Sequence, residues 1–260
     1  MCRFTAYIGP EIPLERVIVL PVHSLLEQSH NATEAKLAVN GDGFGVAWYG
    51  RQERPGLYRD VLPAWSDSNL TDFCRLVEAP LFLAHVRAST IGATLRVNCH
   101  PFSFGPWSFM HNGKIGDFMR IRRGLEAALP DALYDARQGT TDSEILFLLL
   151  LAQGVQTDPV GAIRRTITQI TEMQGDAVEP TRLTCALSDG RRVFAFRYSS
   201  DHRSPSLYLG REAVSGGDVI ASEPLDGTSA RWEAVPEAAV LTLDRRSCEI
   251  EPLVICPVRV

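Results

Sequence analysis

The chain opens with Met1-Cys-Arg-Phe-Thr-Ala-Tyr-Ile-Gly-Pro10, which places a cysteine directly before a predicted β-strand. Residues 3–8 are rich in β-branched and aromatic side chains, and the Gly-Pro pair that follows is typical of a strand end. Removal of the initiator methionine would leave Cys2 with a free α-amine beside its own thiol. Because the amine titrates at about 7.7–8.0 and a free thiol near about 8.5, one residue could supply both base and nucleophile. A second-position cysteine also occurs by chance, so this feature alone decides nothing.

After this strand, the sequence pattern predicts further strands, then helices, and then strands again. Early strand patterns cover residues 43–49, 81–87 and 102–111, the last of them broken at Gly105-Pro106, and helical patterns cover 14–29, 117–128, 143–153 and 161–173. Short strand patterns follow at 182–187, 192–198, 206–209, 219–222, 240–243 and 249–254. This order predicts an α+β fold with mostly antiparallel sheets, in which two sheets pack between two helical layers. We expect a single domain over residues 2–260, because no repeat or low-complexity linker interrupts the chain.

Composition narrows the possible partners. The 260 residues are 45% hydrophobic and 22% charged, with a net charge of −5 and no basic block, so nucleic acid is not an expected partner. The six cysteines include no C-x-x-C pair, so we predict no metal site, and no organic cofactor is expected. No signal peptide is apparent, and the longest apolar run (145–152) is far below the ~20 residues of a membrane span. We therefore expect a cytoplasmic protein without membrane association.

Two charged residues are candidates for binding the two ends of an α-amino acid. Arg87 stands at the end of a predicted strand in His85-Val-Arg-Ala-Ser-Thr90, and its guanidinium can bind a carboxylate through two parallel hydrogen bonds. Asp142 stands in Gly139-Thr-Thr-Asp-Ser-Glu144 and could accept a substrate ammonium group. Each has a simpler interpretation: Arg87 as a surface ion-pair residue, and Asp142 as part of a helix N-cap.

The segment His111-Asn-Gly-Lys-Ile115 offers hydrogen-bond donors between a predicted strand and a predicted helix. The Asn112 side chain amide and the Gly113 backbone N–H could together bind the oxyanion of a tetrahedral intermediate. An ordinary turn is the alternative, since Asn and Gly are both favoured in turns. His85 and His111 are further candidates for the substrate site. His85 could order the pocket wall or could equally be a hydrogen-bonded core histidine, and His111 could hold the turn of the oxyanion pair in shape.

Together these segments form a complete set of roles for amide hydrolysis, and the chain resembles the class II, N-terminal-cysteine glutamine amidotransferases. The resemblance rests on motifs that occur in the family's order between residue 2 and about residue 150. They are Met-Cys-Arg at the start, Asn40-Gly-Asp-Gly-Phe-Gly-Val-Ala-Trp48, His85-Val-Arg87, Asn98-Cys-His-Pro-Phe102, His111-Asn-Gly113 and Thr141-Asp-Ser-Glu144. Within the family the chain is most similar to short stand-alone members, the YafJ-like proteins and the γ-glutamyl hydrolase of ergothioneine biosynthesis.

The resemblance implies a four-layer αββα sandwich of the N-terminal-nucleophile (Ntn) hydrolase type and assigns roles to single residues. Cys2 would be the nucleophile and its α-amine the base, and Asn112 with Gly113 would form the oxyanion hole. Arg87 would bind the substrate carboxylate and Asp142 the substrate amine. The large synthases of the family carry a Trp and a second His after the clamp arginine, where this chain has Ala88 and Ile91. We therefore expect the lid over the substrate to differ, and with it the leaving group.

The expected reaction is cleavage of a γ-glutamyl amide, either glutamine or a γ-glutamyl conjugate, through a Cys2 thioester that is hydrolysed to glutamate. The chain ends at Val260 without room for an ammonia-consuming domain, which favours a conjugate as substrate. Two alternatives stay open: a glutaminase subunit that passes ammonia to a separate synthetase, and a non-catalytic glutamine-binding module.

Overall fold

The computed structural model describes residues 2–34, 38–89, 93–176, 178–226 and 231–255. Its strands in these ranges are β1 (Arg3–Pro13), β2 (Phe44–Tyr49), β3 (Gly56–Asp60), β4 (Glu78–Val86), β5 (Phe102–Phe104), β6 (Trp107–Lys114), β7 (Arg182–Ser188), β8 (Val193–Ser199), β9 (Tyr208–Val214), β10 (Gly217–Ala221), β11 (Trp232–Ala234), β12 (Ala239–Leu243) and β13 (Cys248–Pro252). The helices there are α1 (Glu15–Ile18), α2 (Leu25–His30), α3 (Ser68–Leu76), α4 (Phe118–Ala127), α5 (Asp131–Asp135), α6 (Asp142–Ala152) and α7 (Pro159–Gln174).

The strands form two sheets in which the described pairs all run antiparallel. The first sheet has the order β11-β9-β10-β1-β4-β2-β3, and the second has the order β13-β12-β8-β7-β6-β5. The strand that follows Cys2 lies in the middle of the first sheet, where Thr5 is opposite Ala221 on one side and Ala84 on the other. Both neighbours hold β1 over much of its length, so the residue before it has a well-supported position.

Alternation along the strands sorts the side chains into layers, because successive side chains of a strand point to opposite faces. In β1, Phe4 and Ile8 pack between the two sheets, whereas Tyr7 belongs to the cluster beneath α1, α2 and α3. In β6, Met110 faces the first sheet and Phe109 packs under α4, α6 and α7. The order of layers is therefore helices, sheet, sheet, helices, which confirms the predicted α+β αββα sandwich.

Helix α6 forms the centre of the second helical layer. Its residues are buried from Asp142 to Leu151, as expected for a helix that is apolar on every side. The Thr141 hydroxyl accepts a hydrogen bond from the backbone N–H of Glu144 (3.2 Å) and so caps the first turn. Asp142 is thus the first residue of the helix, one position earlier than the pattern predicted. No helix in the described ranges is long and apolar enough to cross a membrane.

Several boundaries differ from the sequence-based expectation. The helical pattern at 14–29 is two short helices, since Pro21 lies between them and cannot continue a helix. The break predicted at Gly105-Pro106 is the turn of the hairpin β5–β6, where Gly105 has φ 58°, but β6 continues beyond residue 111 to Lys114. Strands β3 and β11 and helices α3 and α5 had no clear pattern, because short or edge elements with mixed polarity carry little periodicity.

Candidate active site

Cys2 lies directly before the first residue of β1, at one end of the sandwich. Its Sγ is 3.5 Å from the carbonyl oxygen of Ala88, to which the thiol can donate, and the residue is partly buried. Since Arg3 is the first residue of the ladder between β1 and β4, Cys2 comes opposite the chain that follows β4. Burial raises the pKa of the Cys2 thiol, while the Arg87 and Arg3 cations act in the opposite direction by favouring the thiolate.

Arg87 directly follows β4 and is only 3% exposed, so its interpretation as a surface residue is wrong. Its main chain is held on both sides, because Arg87 N–H donates to Gly43 O (2.8 Å) and Asp42 N–H donates to Arg87 O (2.9 Å). The guanidinium donates to Ser89 Oγ (3.0 Å), and the Asp42 carboxylate accepts from the backbone N–H of Ser89 (2.7 Å). Asp42 lies in the glycine-rich stretch 40–45, where no local sequence pattern indicates its contact with Ser89.

Asn112 and Gly113 are part of β6 rather than of a turn, so the turn interpretation is wrong. Asn112 has the same parity as Met110 and therefore faces the first sheet. The residue is fully buried, and neither its Oδ1 nor its Nδ2 has a hydrogen-bond partner among the described residues. Gly113 has φ 145°, and a Cβ there would lie 1.9 Å from Arg182 O, so only glycine fits. An unpaired buried amide therefore faces the space between the sheets.

The two candidate histidines point into different layers: His85 of β4 lies between the two sheets, and His111 of β6 faces helix α6. His85 Nε2 lies 3.4 Å from His111 O, and its ring stacks on His100 at 4.2 Å between centroids. His111 Nδ1 lies 2.9 Å from Ser143 Oγ, on the side of β6 that faces α6. Burial lowers the pKa of His85 to about 3, and burial also lowers the pKa of His111 against the opposing effect of Asp142. Both rings are therefore neutral near pH 7.

His100 reaches His85 because of a glycine in the neighbouring strand. Gly45 is opposite His85 in the β2–β4 ladder, and a Cβ on Gly45 would lie 2.2 Å from His100 O. Burial lowers the pKa of His100 well below its ordinary value, and neither ring nitrogen has a hydrogen-bond partner among the described residues. His100 is thus a buried neutral side chain next to the candidate site.

Asp142 is 5% exposed at the start of α6. One carboxylate oxygen accepts from the backbone N–H of Ile115 (2.9 Å), directly after β6, and the other accepts from Ser143 N–H (2.9 Å). These contacts fix the carboxylate next to the strand that carries Asn112 and Gly113. The helix start and the strand end are therefore joined through this side chain.

The start of β1, the end of β4 and the end of β6 meet at the same end of the sandwich. The contact between His85 and the His111 carbonyl connects the two sheets there. A surface cavity of about 730 Å³ lies at the opposite end, next to Tyr49, Phe104 and Gly190, and contains none of the candidate residues. Within the part of the chain that the structure describes, no three His, Cys, Asp or Glu side chains are grouped so that they could hold a metal ion.

Two antiparallel sheets between helical layers, with a cysteine ahead of a central strand, define an Ntn-hydrolase type of protein. The chain belongs to the class-II glutamine amidotransferases, whose family model matches residues 21–213. The predicted resemblance is thereby confirmed, and with it the expectation of an enzyme of the amidohydrolase and amidotransferase class. The match begins after Cys2, so it does not bear on the role of that residue.

Two curated relatives are similar over nearly their whole length. The "Probable glutamine amidotransferase DUG3" of Saccharomyces cerevisiae is 32% identical over 98% of this chain and 85% of the relative. The "Gamma-glutamyl-hercynylcysteine sulfoxide hydrolase" of Mycolicibacterium smegmatis is 28% identical over 97% of this chain and 100% of the relative. Both agree with the short stand-alone subgroup that the motifs predicted.

Solved structures agree on the fold. A glutamine aminotransferase class-II domain protein from Silicibacter pomeroyi is 37% identical, with a TM-score of 0.77 over 97% of this chain and all of that protein. The glutamine phosphoribosylpyrophosphate amidotransferase of B. subtilis gives a TM-score of 0.68 over 98% of this chain but only 50% of its own. At 15% identity the second similarity concerns the fold alone.

Proposed function

We propose that this chain hydrolyses the γ-glutamyl amide bond of glutamine or of a γ-glutamyl conjugate through a thioester on Cys2. The Asn112 side chain carries the proposal, because it is fully buried without a partner among the described residues at the end where Cys2 and Arg87 lie. A buried amide without a partner is unfavourable unless a ligand satisfies it. A tetrahedral oxyanion is such a ligand, and its stabilisation is a large term in acyl transfer.

The proposed reaction needs Met1 to be removed, so that the α-amine of Cys2 is free. The amine takes the thiol proton, directly or through a water, and Sγ attacks the γ-carbonyl carbon. Asn112 Nδ2 and the Gly113 N–H stabilise the oxyanion while the C–N bond breaks and the leaving amine receives the proton. Water then hydrolyses the thioester, which releases glutamate and restores the thiol.

Recognition of the glutamyl end is assigned to the two charged residues. The Arg87 guanidinium binds the α-carboxylate of the substrate, and Asp142 binds its α-ammonium group. His85 and His111 are neutral and act by shaping the pocket: His85 between the sheets, and His111 by holding Ser143 beside Asp142. Asp42 supports the position of Arg87 through Ser89: the Asp42 carboxylate accepts from the Ser89 N–H, and the Ser89 hydroxyl accepts from the Arg87 guanidinium.

For the leaving group we favour a γ-glutamyl conjugate. The support is the full-length similarity to a relative whose printed name is that of a γ-glutamyl hydrolase. A second candidate is the release of ammonia from glutamine for a separate synthetase, which the printed name of the yeast relative favours. The two candidates share every step up to the thioester and differ only in the amine that departs.

Intact-mass analysis with 6-diazo-5-oxo-norleucine, a glutamine-like alkylator, tests the nucleophile. We expect loss of Met1 and one adduct per chain on Cys2, with no adduct on Cys2→Ala. A chain that keeps Met1 and takes no adduct contradicts the proposal and favours the glutamine-binding module instead.

The leaving group is tested by comparing glutamine with a series of γ-glutamyl amines and γ-glutamyl thioether amino acids, with glutamate release as the common readout. We expect kcat/KM for at least one conjugate to exceed that for glutamine by tenfold or more. Higher activity on glutamine than on every conjugate would favour the ammonia-transfer candidate.

A further inference from the structure

A buried ion pair lies directly behind the candidate nucleophile. Arg3 Nε is 2.7 Å from Glu223 Oε1, and both side chains are completely buried. The same guanidinium turns back along the chain, and its Nη1 donates to the carbonyl oxygen of Cys2 (3.2 Å). One cation thus joins the backbone of residue 2 to a carboxylate from the loop after β10.

The Glu223 carboxylate is held firmly on its other sides. Its Oε2 accepts from the Thr33 N–H (2.9 Å) and from the Thr33 hydroxyl (2.7 Å), and it lies 2.7 Å from His23 Nε2. Its Oε1 accepts from the Glu34 N–H (2.9 Å). Burial alone would raise the pKa of Glu223, but the hydrogen bonds from Thr33, His23 and Glu34 lower it to about 2. Glu223 is therefore ionised throughout the neutral range and cannot move without breaking several bonds.

A contribution to folding stability does not explain why this ion pair is present, because a buried ion pair is often no more stabilising than apolar residues of similar volume. The hydrogen bond from Arg3 to the Cys2 carbonyl can, by contrast, fix the orientation of a residue at the chain terminus. Once Met1 is gone, Cys2 is joined to the chain only through its own carbonyl. Free rotation of that peptide unit would move the α-amine and the thiol together away from the substrate.

We propose that Arg3 and Glu223 are positioning residues for the nucleophile: Glu223 holds the Arg3 side chain, and Arg3 holds the Cys2 carbonyl so that the α-amine and Sγ point at the substrate. The inference rests on the proposed role of Cys2. Arg3 is suited to this because its guanidinium can form an ion pair with a carboxylate on one side while another of its nitrogens donates to a carbonyl, whereas a lysine is a single point charge. The anchor extends to Thr33 and Glu34 through the Glu223 carboxylate.

The main test is Arg3→Lys, which keeps the charge opposite Glu223 but removes the second arm of the fork. Misplacement by about 1 Å can lower a rate about a hundredfold, so we expect kcat to fall roughly tenfold to hundredfold. KM should stay within about twofold, because the groups that bind the glutamyl end are untouched. The matched control is Arg164→Lys on α7, where one guanidinium also joins a carboxylate (Glu251) to a main-chain carbonyl (Pro252), and this variant should keep wild-type kcat.

Labelling with 6-diazo-5-oxo-norleucine separates positioning from structural damage. In Arg3→Lys we expect one adduct per chain, formed more slowly than in the wild type and with the same pH dependence. The inference would be overturned if Arg3→Lys had the same kcat as Arg164→Lys. It would also be overturned if the lower kcat of Arg3→Lys were fully explained by a smaller fraction of labelled chains or by a shifted pH dependence of labelling. Glu223→Gln should slow labelling in the same way, and a wild-type rate in that variant would also overturn it. An unlabelled wild-type chain would instead contradict the proposed function itself.

Discussion

Replacement of Asn112 by Leu should change activity and stability in opposite directions. The side chain is fully buried, and its two polar atoms have no partner among the described residues, so the protein loses no internal hydrogen bond when the amide is removed. An unsatisfied buried polar group is unfavourable by about 1–3 kcal/mol, and leucine has a similar volume. We therefore expect the free energy of unfolding to stay unchanged or to rise by up to about 3 kcal/mol.

The same substitution removes a proposed oxyanion donor, which should lower kcat by about 10²–10³. Thermal unfolding and glutamate release are measured on one preparation, and a stability gain would appear as a rise in Tm of about 2–4 °C per kcal/mol. Asn98→Leu is the matched control. Asn98 is equally buried, but its amide donates to Ala93 O (2.9 Å) and accepts from Thr140 N–H (3.0 Å), so this variant should lose stability.

An equal loss of stability in Asn112→Leu and Asn98→Leu would refute the stability prediction, because the Asn112 side chain would then have internal partners. Wild-type kcat in Asn112→Leu would refute the oxyanion role, whatever its stability.

Three further predictions concern other parts of the site. Arg87→Lys should lower kcat/KM on glutamyl substrates by roughly tenfold to hundredfold, since a lysine cannot bind a carboxylate through two parallel bonds; equal kcat/KM in steady-state assays would argue against the clamp. Gly113→Ala should lower the free energy of unfolding, measured in urea, by several kcal/mol, because its Cβ would lie 1.9 Å from Arg182 O. Gly105→Ala is the control: Gly105 has φ 58° and open space around its Cβ position, so the free energy of unfolding should fall by only about 1–2 kcal/mol. The free energy of unfolding should also fall as the pH drops from about 6.5 towards 3, because His85, with a pKa of about 3 in the folded protein, stays neutral while the unfolded chain binds a proton. His85→Gln should make the free energy of unfolding less dependent on pH in this range. An unchanged pH dependence in that variant would contradict the prediction.

Part of the site could be predicted from sequence because it depends on residue type and local order. The predicted position of Cys2, before a strand, is confirmed, whereas Arg87 and Asp142 each differ by one residue: Arg87 follows β4 instead of ending it, and Asp142 begins α6 instead of preceding it. Asn112 and Gly113 were assigned to a turn, because Asn-Gly is a frequent turn pair and the pattern cannot show that β6 continues through it. Asp42 and Glu223 were not singled out, since isolated carboxylates carry no local signal of a partner.

The sequence by itself determined the class of fold, the order of the elements and the family, because periodicity, turn residues and ordered motifs are local properties of the chain. Only the tertiary structure decided which groups meet. Arg3 and Glu223 are separated by almost the whole chain, and they pair because β1 and β10 are neighbours in one sheet. Likewise, the side of β6 that Asn112 faces follows from how the two sheets stack, since burial of one strand face against another sheet is a collective result of packing.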